Sequence, residues 1–248
     1  MPRLGTRKLH YLLQQQLSDH KICVGRDYLF DLLSEHKLLV RQRKRKVFTT
    51  DSRHWMHKYD NLIKDKPVIR PEQVWVSDIT YIRLNNQWAY LSLITDAYSR
   101  KIMGYCLRTD LSTEGCLAAL KMALKNRIYD QPLIHHSDRG SQYCSQAYTQ
   151  LLIKNKIAIS MTQNGDPYEN ALAERVNGII KSEFNLYTCQ MGFEGTQQRV
   201  RDSINAYNGI RPHASCDYLT PDKAHLKERT LPKRWKNYKQ KQTQNQPV

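Results

Sequence analysis

VWVSDITYIRLNNQWAYLSLITDAYSRKIMGYCLR, residues 74–108, decides the fold. Its first nine residues, VWVSDITYI (74–82), have the β-branched and aromatic composition of a strand. WAYLSLIT (88–95) and KIMGYCLR (101–108) repeat that composition and are joined by DAYSR, which makes them a hairpin. Downstream, STEGCLAALKMALKNR (112–127) reads as a helix and PLIHHSD (132–138) as a short buried strand. SQAYTQLLIKNK (145–156) is helical again, and AISMT (158–162) is a strand. Three strands followed by alternating helices and strands predict an α/β domain with a mixed sheet and helices on both faces.

Upstream, GTRKLHYLLQQQL (5–17) sets Leu9, Leu12, Leu13 and Leu17 at helical spacing behind Thr6 as N-cap. GRDYLFDLLSEH (25–36) repeats the pattern with Tyr28, Leu29, Leu32 and Leu33. Two short helices with a turn between them are compatible with a helix-turn-helix or with an ordinary helical hairpin. The run RQRKRK (41–46) follows at once, and Arg41, Arg43, Lys44, Arg45 and Lys46 are expected to contact phosphate. The expected division is a helical region over 1–46, a linker over 47–72 closed by Pro67 and Pro71, an α/β core over 73–190, a helical extension over 191–228, and a basic, mobile tail over 229–248.

Charge supports a polyanionic partner. Residues 1–70 hold 16 Lys/Arg against 7 Asp/Glu, residues 71–228 hold 17 against 16, and residues 229–248 hold 6 against none. Two basic flanks around a neutral middle suit nucleic acid better than a uniformly basic surface would. The six cysteines have no pair two to four residues apart, as zinc ribbons require, and read as free thiols. No apolar run approaches the roughly 20 residues that span a bilayer. An intracellular protein without membrane contact is expected.

Three carboxylates stand out. Asp78 lies inside an apolar strand, where a carboxylate is costly unless paired or bound to metal. Asp138 follows a second apolar strand, and strand ends are where α/β sheets gather functional groups. Glu174 lies on a helix expected to begin with Asp166 as N-cap, Pro167 in first position and Glu169 completing a capping box. On that helix Leu172, Val176 and Ile179 form the apolar stripe, with Asn170, Glu174, Asn177 and Lys181 opposite. Phosphodiester chemistry needs a deprotonated oxygen nucleophile and a stabilised leaving oxygen, and two Mg²⁺ ions held by three carboxylates meet both needs. Asp96, by contrast, reads as a hairpin residue.

SDITYI around Asp78, HHSDRGSQY around Asp138 and NGDPYENALAERVNGIIKSE around Glu174 resemble the DDE transposases of the IS-three insertion-sequence family, second-reading-frame (OrfB) type. Thirty-five residues separate Asp138 from Glu174, Lys181 matches the family's basic position, and YNGIRPH (207–213) with LTP (219–221) resembles its C-terminal motif. The resemblance implies an RNase H-like integrase core, with Asp78, Asp138 and Glu174 as catalytic residues and metal ligands. It implies two Mg²⁺ ions, replaceable by Mn²⁺, and nicking followed by 3′-hydroxyl strand transfer. It implies DNA partners (terminal inverted repeats and target), a homo-oligomer on DNA, an upstream-frame (OrfA) partner, and a cytoplasmic, nucleoid-associated protein. Lys181 and Arg139 are expected to touch DNA. His135 and His136 position water or phosphate, or serve structure. Tyr207, Asn208, Arg211 and His213 serve packing or DNA. A transposase-derived DNA-binding protein without catalysis and an RNase H-like nuclease are the competing readings.

Overall fold

The computed structural model describes residues 1–40, 54–64, 66–85, 87–163 and 169–227. The quoted stretch forms β1 (Val74–Leu84), β2 (Trp88–Asp96) and β3 (Ile102–Arg108), paired antiparallel in succession. β4 (Leu133–Ser137) and β5 (Ile157–Met161) add to the other side of β1 in parallel. The order is β3-β2-β1-β4-β5, and the two-residue β6 (Thr188–Cys189) pairs with the far end of β1. This is the expected mixed sheet.

Helices cover both faces because side chains along each strand alternate. On one face Trp75, Ile94, Met103, Leu133, Ile157 and Met161 meet α3 (Thr113–Lys125), α4 (Ser141–Cys144) and α5 (Gln146–Lys154). α3 lies so close on β3 that a Cβ at Gly104 would stand 2.1 Å from the Ala119 carbonyl oxygen, so that position admits only glycine. On the other face Ile82, Leu91, Leu93, Ile102 and Leu107 meet α6 (Ala171–Glu183) and α7 (Phe193–Gly209). α7 thus completes the second apolar layer through Val200, Ile204 and Tyr207. The short α8 (Pro221–His225) follows, started by Pro221 and capped by the Thr220 hydroxyl.

The segment before β1 is irregular yet anchored. Met161 donates its N–H to the Asp60 carbonyl, Leu62 donates to Ser160 Oγ, and Met56 and Tyr59 pack on the first apolar layer. It runs as a strap along β5, covering that edge strand. The N-terminal helices are α1 (Thr6–Asp19) and α2 (Arg26–Glu35), in the expected places. Their only fully buried side chain is Leu29.

Three local expectations are corrected. Gly5, not Thr6, occupies the N-cap of α1, and no side chain caps that helix. α6 begins at Ala171 behind Asn170. Glu169 lies outside α6, and its carboxylate accepts from the Gln163 N–H instead of closing a capping box. Tertiary contact sets this start: Asn170 donates its amide to the Ser77 carbonyl, fixing the chain where it meets β1. Asp166 and Pro167 lie outside the described residues, as do RQRKRK (41–46) and the tail over 229–248. The buried stripe of α6 is Ala173, Val176, Asn177 and Ile180, rotated from the expected one, with Leu172 and Ile179 half-buried at its margin.

Candidate active site

The register of β1 on β4 positions the site. Ser77 pairs with Ser137 as the last matched residues, so Asp78 and Asp138 follow side by side where β4 ends and β1 runs on. The crevice lies at the carboxyl end of a parallel strand, where open α/β sheets bind ligands. Asp78 shares the pleat face of Val76 and Ile82, the face α6 covers, and both aspartates are half-buried.

α6 closes one side. Asn177 is buried and donates its amide Nδ2 to Asp78 Oδ2 at 2.7 Å. Glu174 stands three residues earlier on the same helix, exposed, and i, i+3 residues are neighbours on a helix surface. Burial pushes the Asp78 carboxyl up to about 7, and the charge of Asp138 adds to that. The amide of Asn177 opposes the rise, and Glu174 contributes a weaker push upward. Asp138 Oδ1 accepts the N–H of Gly140, which folds the loop after β4 into a tight bend. Among the described residues, no three His, Cys, Asp or Glu side chains stand close enough together to hold a metal ion, so Asp78 and Asp138 converge while Glu174 remains at the rim.

The donor set tests whether divalent metal fits. All three side chains offer hard carboxylate oxygens, the ligands Mg²⁺ prefers. A carboxyl pushed up by a neighbouring carboxylate, as Asp78 is by Asp138, is in the condition a divalent cation relieves. The residues fit.

Integrase core domain families match residues 69–167 and 155–221. The chain is 37% identical over 219 residues to the insertion element IS600 31 kDa protein of Shigella sonnei, covering 88% of this chain and 79% of that protein. The chain belongs to the IS3 family of DDE transposases. It is also 36% identical to the transposase for IS629 of Shigella sonnei, over 72% of this chain and 59% of that protein. To transposase InsF for IS3A of Escherichia coli K12 it is 33% identical, over 61% and 53%. The chain thus spans little more than half the length of those two relatives. Among solved structures, a simian T-cell lymphotropic virus intasome bound to PP2A B56 gamma aligns at TM-score 0.55 and 18% identity, covering 92% of this chain and 77% of that one. The magnesium-bound HTLV-2 integrase catalytic core aligns at 0.51 and 19%, covering 63% and 97%. At that identity the likeness shows the RNase H-like fold alone.

Within the transposase, the histidines before Asp138 serve structure. His135 is buried with Nε2 2.7 Å from Ser77 Oγ and 2.9 Å from the Tyr148 hydroxyl, and burial pushes its pKa down to about 3. His136 bonds Ser160 Oγ through Nδ1 and donates Nε2–H to the Glu169 carbonyl; burial lowers its pKa as well. Together they bolt β4 to β1, β5, α5 and the chain entering α6.

The C-terminal motif also packs inward. The Asn208 amide pairs with both the N–H and the carbonyl of Ile102. Arg211, 2% exposed, makes a bidentate pair with Glu183 at 2.6 and 2.7 Å and reaches His213. Lys8 of α1 joins Glu183 at 3.1 Å. Burial opposes ionisation of Glu183, but Arg211 and Lys8 outweigh it and hold the carboxyl below its ordinary range.

The two expected DNA contacts differ in setting. Arg139 is half-buried in the loop after Asp138, its carbonyl accepting from His54 Nε2 at 2.7 Å. Lys181 is half-buried with Nζ 5.5 Å from the Tyr187 ring centroid and within electrostatic reach of Asp78. Sequence reading missed Asn177 and Asn170 as site-shaping residues. Both amides stood among the polar positions of α6, and only the strand they face reveals their task.

Proposed function

We propose that this transposase cuts DNA at the ends of an insertion sequence and joins the freed 3′-hydroxyl to target DNA, with Asp78, Asp138 and Glu174 holding divalent metal. The carrying observation is the convergence of Asp78 and Asp138 at adjacent strand ends, where the charge of Asp138 helps push the Asp78 carboxyl up. Two Mg²⁺ ions, or Mn²⁺ in their place, supply activation of the attacking oxygen and stabilisation of the leaving oxygen when bound. Asp78 and Asp138 provide the anionic floor of the site. Glu174 approaches from α6 at the rim, and Asn177 orients the Asp78 carboxylate by holding its Oδ2. Arg139 and Lys181 flank the pair and draw the phosphate backbone toward it. His135 and His136 are engaged in contacts within the fold.

DNA is the partner, and assembly on two element ends calls for more than one copy. In the N-terminal region, α2 carries Arg26 against Asp27, Asp31 and Glu35, so non-specific affinity falls to RQRKRK (41–46). The test is single-turnover nicking of labelled element ends. Activity is expected with Mg²⁺ or Mn²⁺, binding without appreciable cleavage with Ca²⁺, and no cleavage by Asp138→Asn in any metal. Full cleavage in a chelator overturns the reading.

A further inference from the structure

Trp55 is 94% exposed, the most exposed of the large apolar side chains described. Its neighbours in sequence are held. His54 Nε2 bonds the Arg139 carbonyl, Met56 and Tyr59 pack in the first apolar layer, and the His57 and Tyr59 rings meet edge to face at 4.7 Å. The indole is thus carried on an anchored strap and tied through one hydrogen bond to the loop that starts one residue after Asp138. The strap carries Lys58, and the loop it is tied to carries Arg139. Lys58, Arg139 and Asp138 all lie within electrostatic reach of Cys144 in α4. Among the described residues neither Lys58 nor Arg139 makes an ion pair, and the buried Nε of Arg139 has no hydrogen-bond partner.

An aromatic face beside unpaired cations is the chemistry that recognises an unpaired nucleotide, the ring stacking on the base and the cations meeting its phosphate. We propose that Trp55 is a stacking platform for an unpaired base of the DNA strand whose phosphate lies at Asp138. The proposal rests on the reading of that aspartate as part of a strand-cutting site. Stacking holds a frayed or splayed end open beside the carboxylates, and it is indifferent to base identity because every base has a π-face.

The experiment compares wild type, Trp55→Ala and Trp55→Phe in Ca²⁺, so that no strand is cut. Affinity is measured for a single-stranded oligonucleotide, for the blunt duplex of the same sequence, and for a duplex with a forked end. Trp55→Ala is expected to lose roughly 5- to 150-fold on the single-stranded and forked DNA, the range for one stacked base. Its duplex affinity and melting temperature stay at the wild-type values, and Trp55→Phe recovers most of the loss. Unchanged single-strand affinity overturns the proposal. So does an equal loss on all three substrates, which marks a general surface contact, and so does a lowered melting temperature, which marks an indole packed on the chain itself. Nicking in Mg²⁺ separates the two readings. A wild type that never nicks, beside a Trp55→Ala protein that loses single-strand binding, removes the catalytic reading and keeps the platform. An active wild type with an indifferent Trp55→Ala removes the platform alone.

Discussion

Two pairs of acids sit in the same sheet and are treated in opposite ways. Glu72 and Asp96 are fully buried, and the fold surrounds them with donors. Glu72 accepts the N–H groups of Ile128 and Tyr129 and the Nε2–H of His225, with Arg127 at 3.8 Å. Asp96 accepts from Glu72 N–H, Ser99 N–H and the Ser99 hydroxyl. Because that hydroxyl gives its hydrogen to Asp96, it accepts from His225 Nδ1 at 3.0 Å. Both ring nitrogens of His225 therefore donate, which requires the imidazolium. The backbone is even held left-handed at Glu72, φ 51°, to keep the carboxylate there. Asp78 accepts from the Asn177 amide and the Ile79 N–H, and faces a second carboxylate. Acids that serve the fold come with resident cations. At the crevice the charge of Asp138 instead pushes the Asp78 carboxyl up, an effect a bound divalent cation would reverse.

The sharpest test of this contrast exchanges charge for amide in each pair. Asp78→Asn or Asp138→Asn is expected to reduce nicking and strand transfer to the assay background while melting temperature holds or rises, since a mutual repulsion disappears. Glu72→Gln is expected to act the other way. It leaves the His225 imidazolium buried against a neutral group, with a loss of about 3–5 kcal/mol in unfolding free energy. Chemical denaturation of both variants beside a nicking assay decides the matter. A Glu72→Gln protein as stable as wild type erases the distinction.

Asn177→Ala probes the seam between the two kinds of site, because a residue of the fold there aims a residue of the chemistry. Partners that orient a metal ligand typically account for 10- to 100-fold in metal affinity or activity. A loss of about that size is expected, with half-maximal Mg²⁺ moved upward, while DNA affinity in Ca²⁺ stays put. A rate deficit that excess Mg²⁺ leaves untouched would assign Asn177 to packing of α6 alone.

The His225 network carries a pH signature. Burial lowers the His225 pKa, but Asp96 and Glu72 outweigh it and raise the value above the ordinary imidazole range; Lys101 opposes them weakly. The other groups facing the ring are the Ser99 hydroxyl, Arg127 on the far side of Glu72, and the Tyr129 ring. A raised folded-state pKa means stability that is fully present below about pH 6.5, the unfolded value. That stability is lost as pH rises through the higher folded value. Melting temperature is expected to fall over that interval in wild type and to be flatter in His225→Gln. Equal pH dependence in the two proteins would show that His225 is not the titrating group.

These comparisons mark what the amino-acid sequence makes legible. Element order came through because the strands are β-branched and aromatic and the helices amphipathic, signals local to each segment. Asp96 was readable as a hairpin residue for the same reason: its acceptors serve Ser99, three residues away. The start of α6 was not, because Asn170 answers to Ser77, 93 residues earlier. Asn177 looked like a surface amide until Asp78 was found across from it. The Glu72–His225 contact joins residues 153 apart and leaves no local trace. Packing within the fold accounts for YNGIRPH as well, whose polar residues turn inward to Ile102 and Glu183.

The smallest expected effect distinguishes two lysines. Lys8 is spent internally on Glu183 at 3.1 Å, whereas Lys181 makes no ion pair among the described residues and lies beside the crevice. Burial lowers the Lys181 pKa, and the field of Asp78 pulls it back up. If it contacts one phosphate, Lys181→Ala should lower the slope of log affinity against log salt by about one unit, with the larger loss at low salt. Lys8→Ala should leave that slope unchanged and lower the melting temperature instead, because it removes one of the two cations on a half-buried carboxylate that Arg211 also holds. Affinity titrations at several salt concentrations on both variants read out the difference. Equal slopes in wild type and Lys181→Ala would make Lys181 a counterion of the fold, and the contrast between acids that serve the fold and acids that serve chemistry would then lose its cationic counterpart.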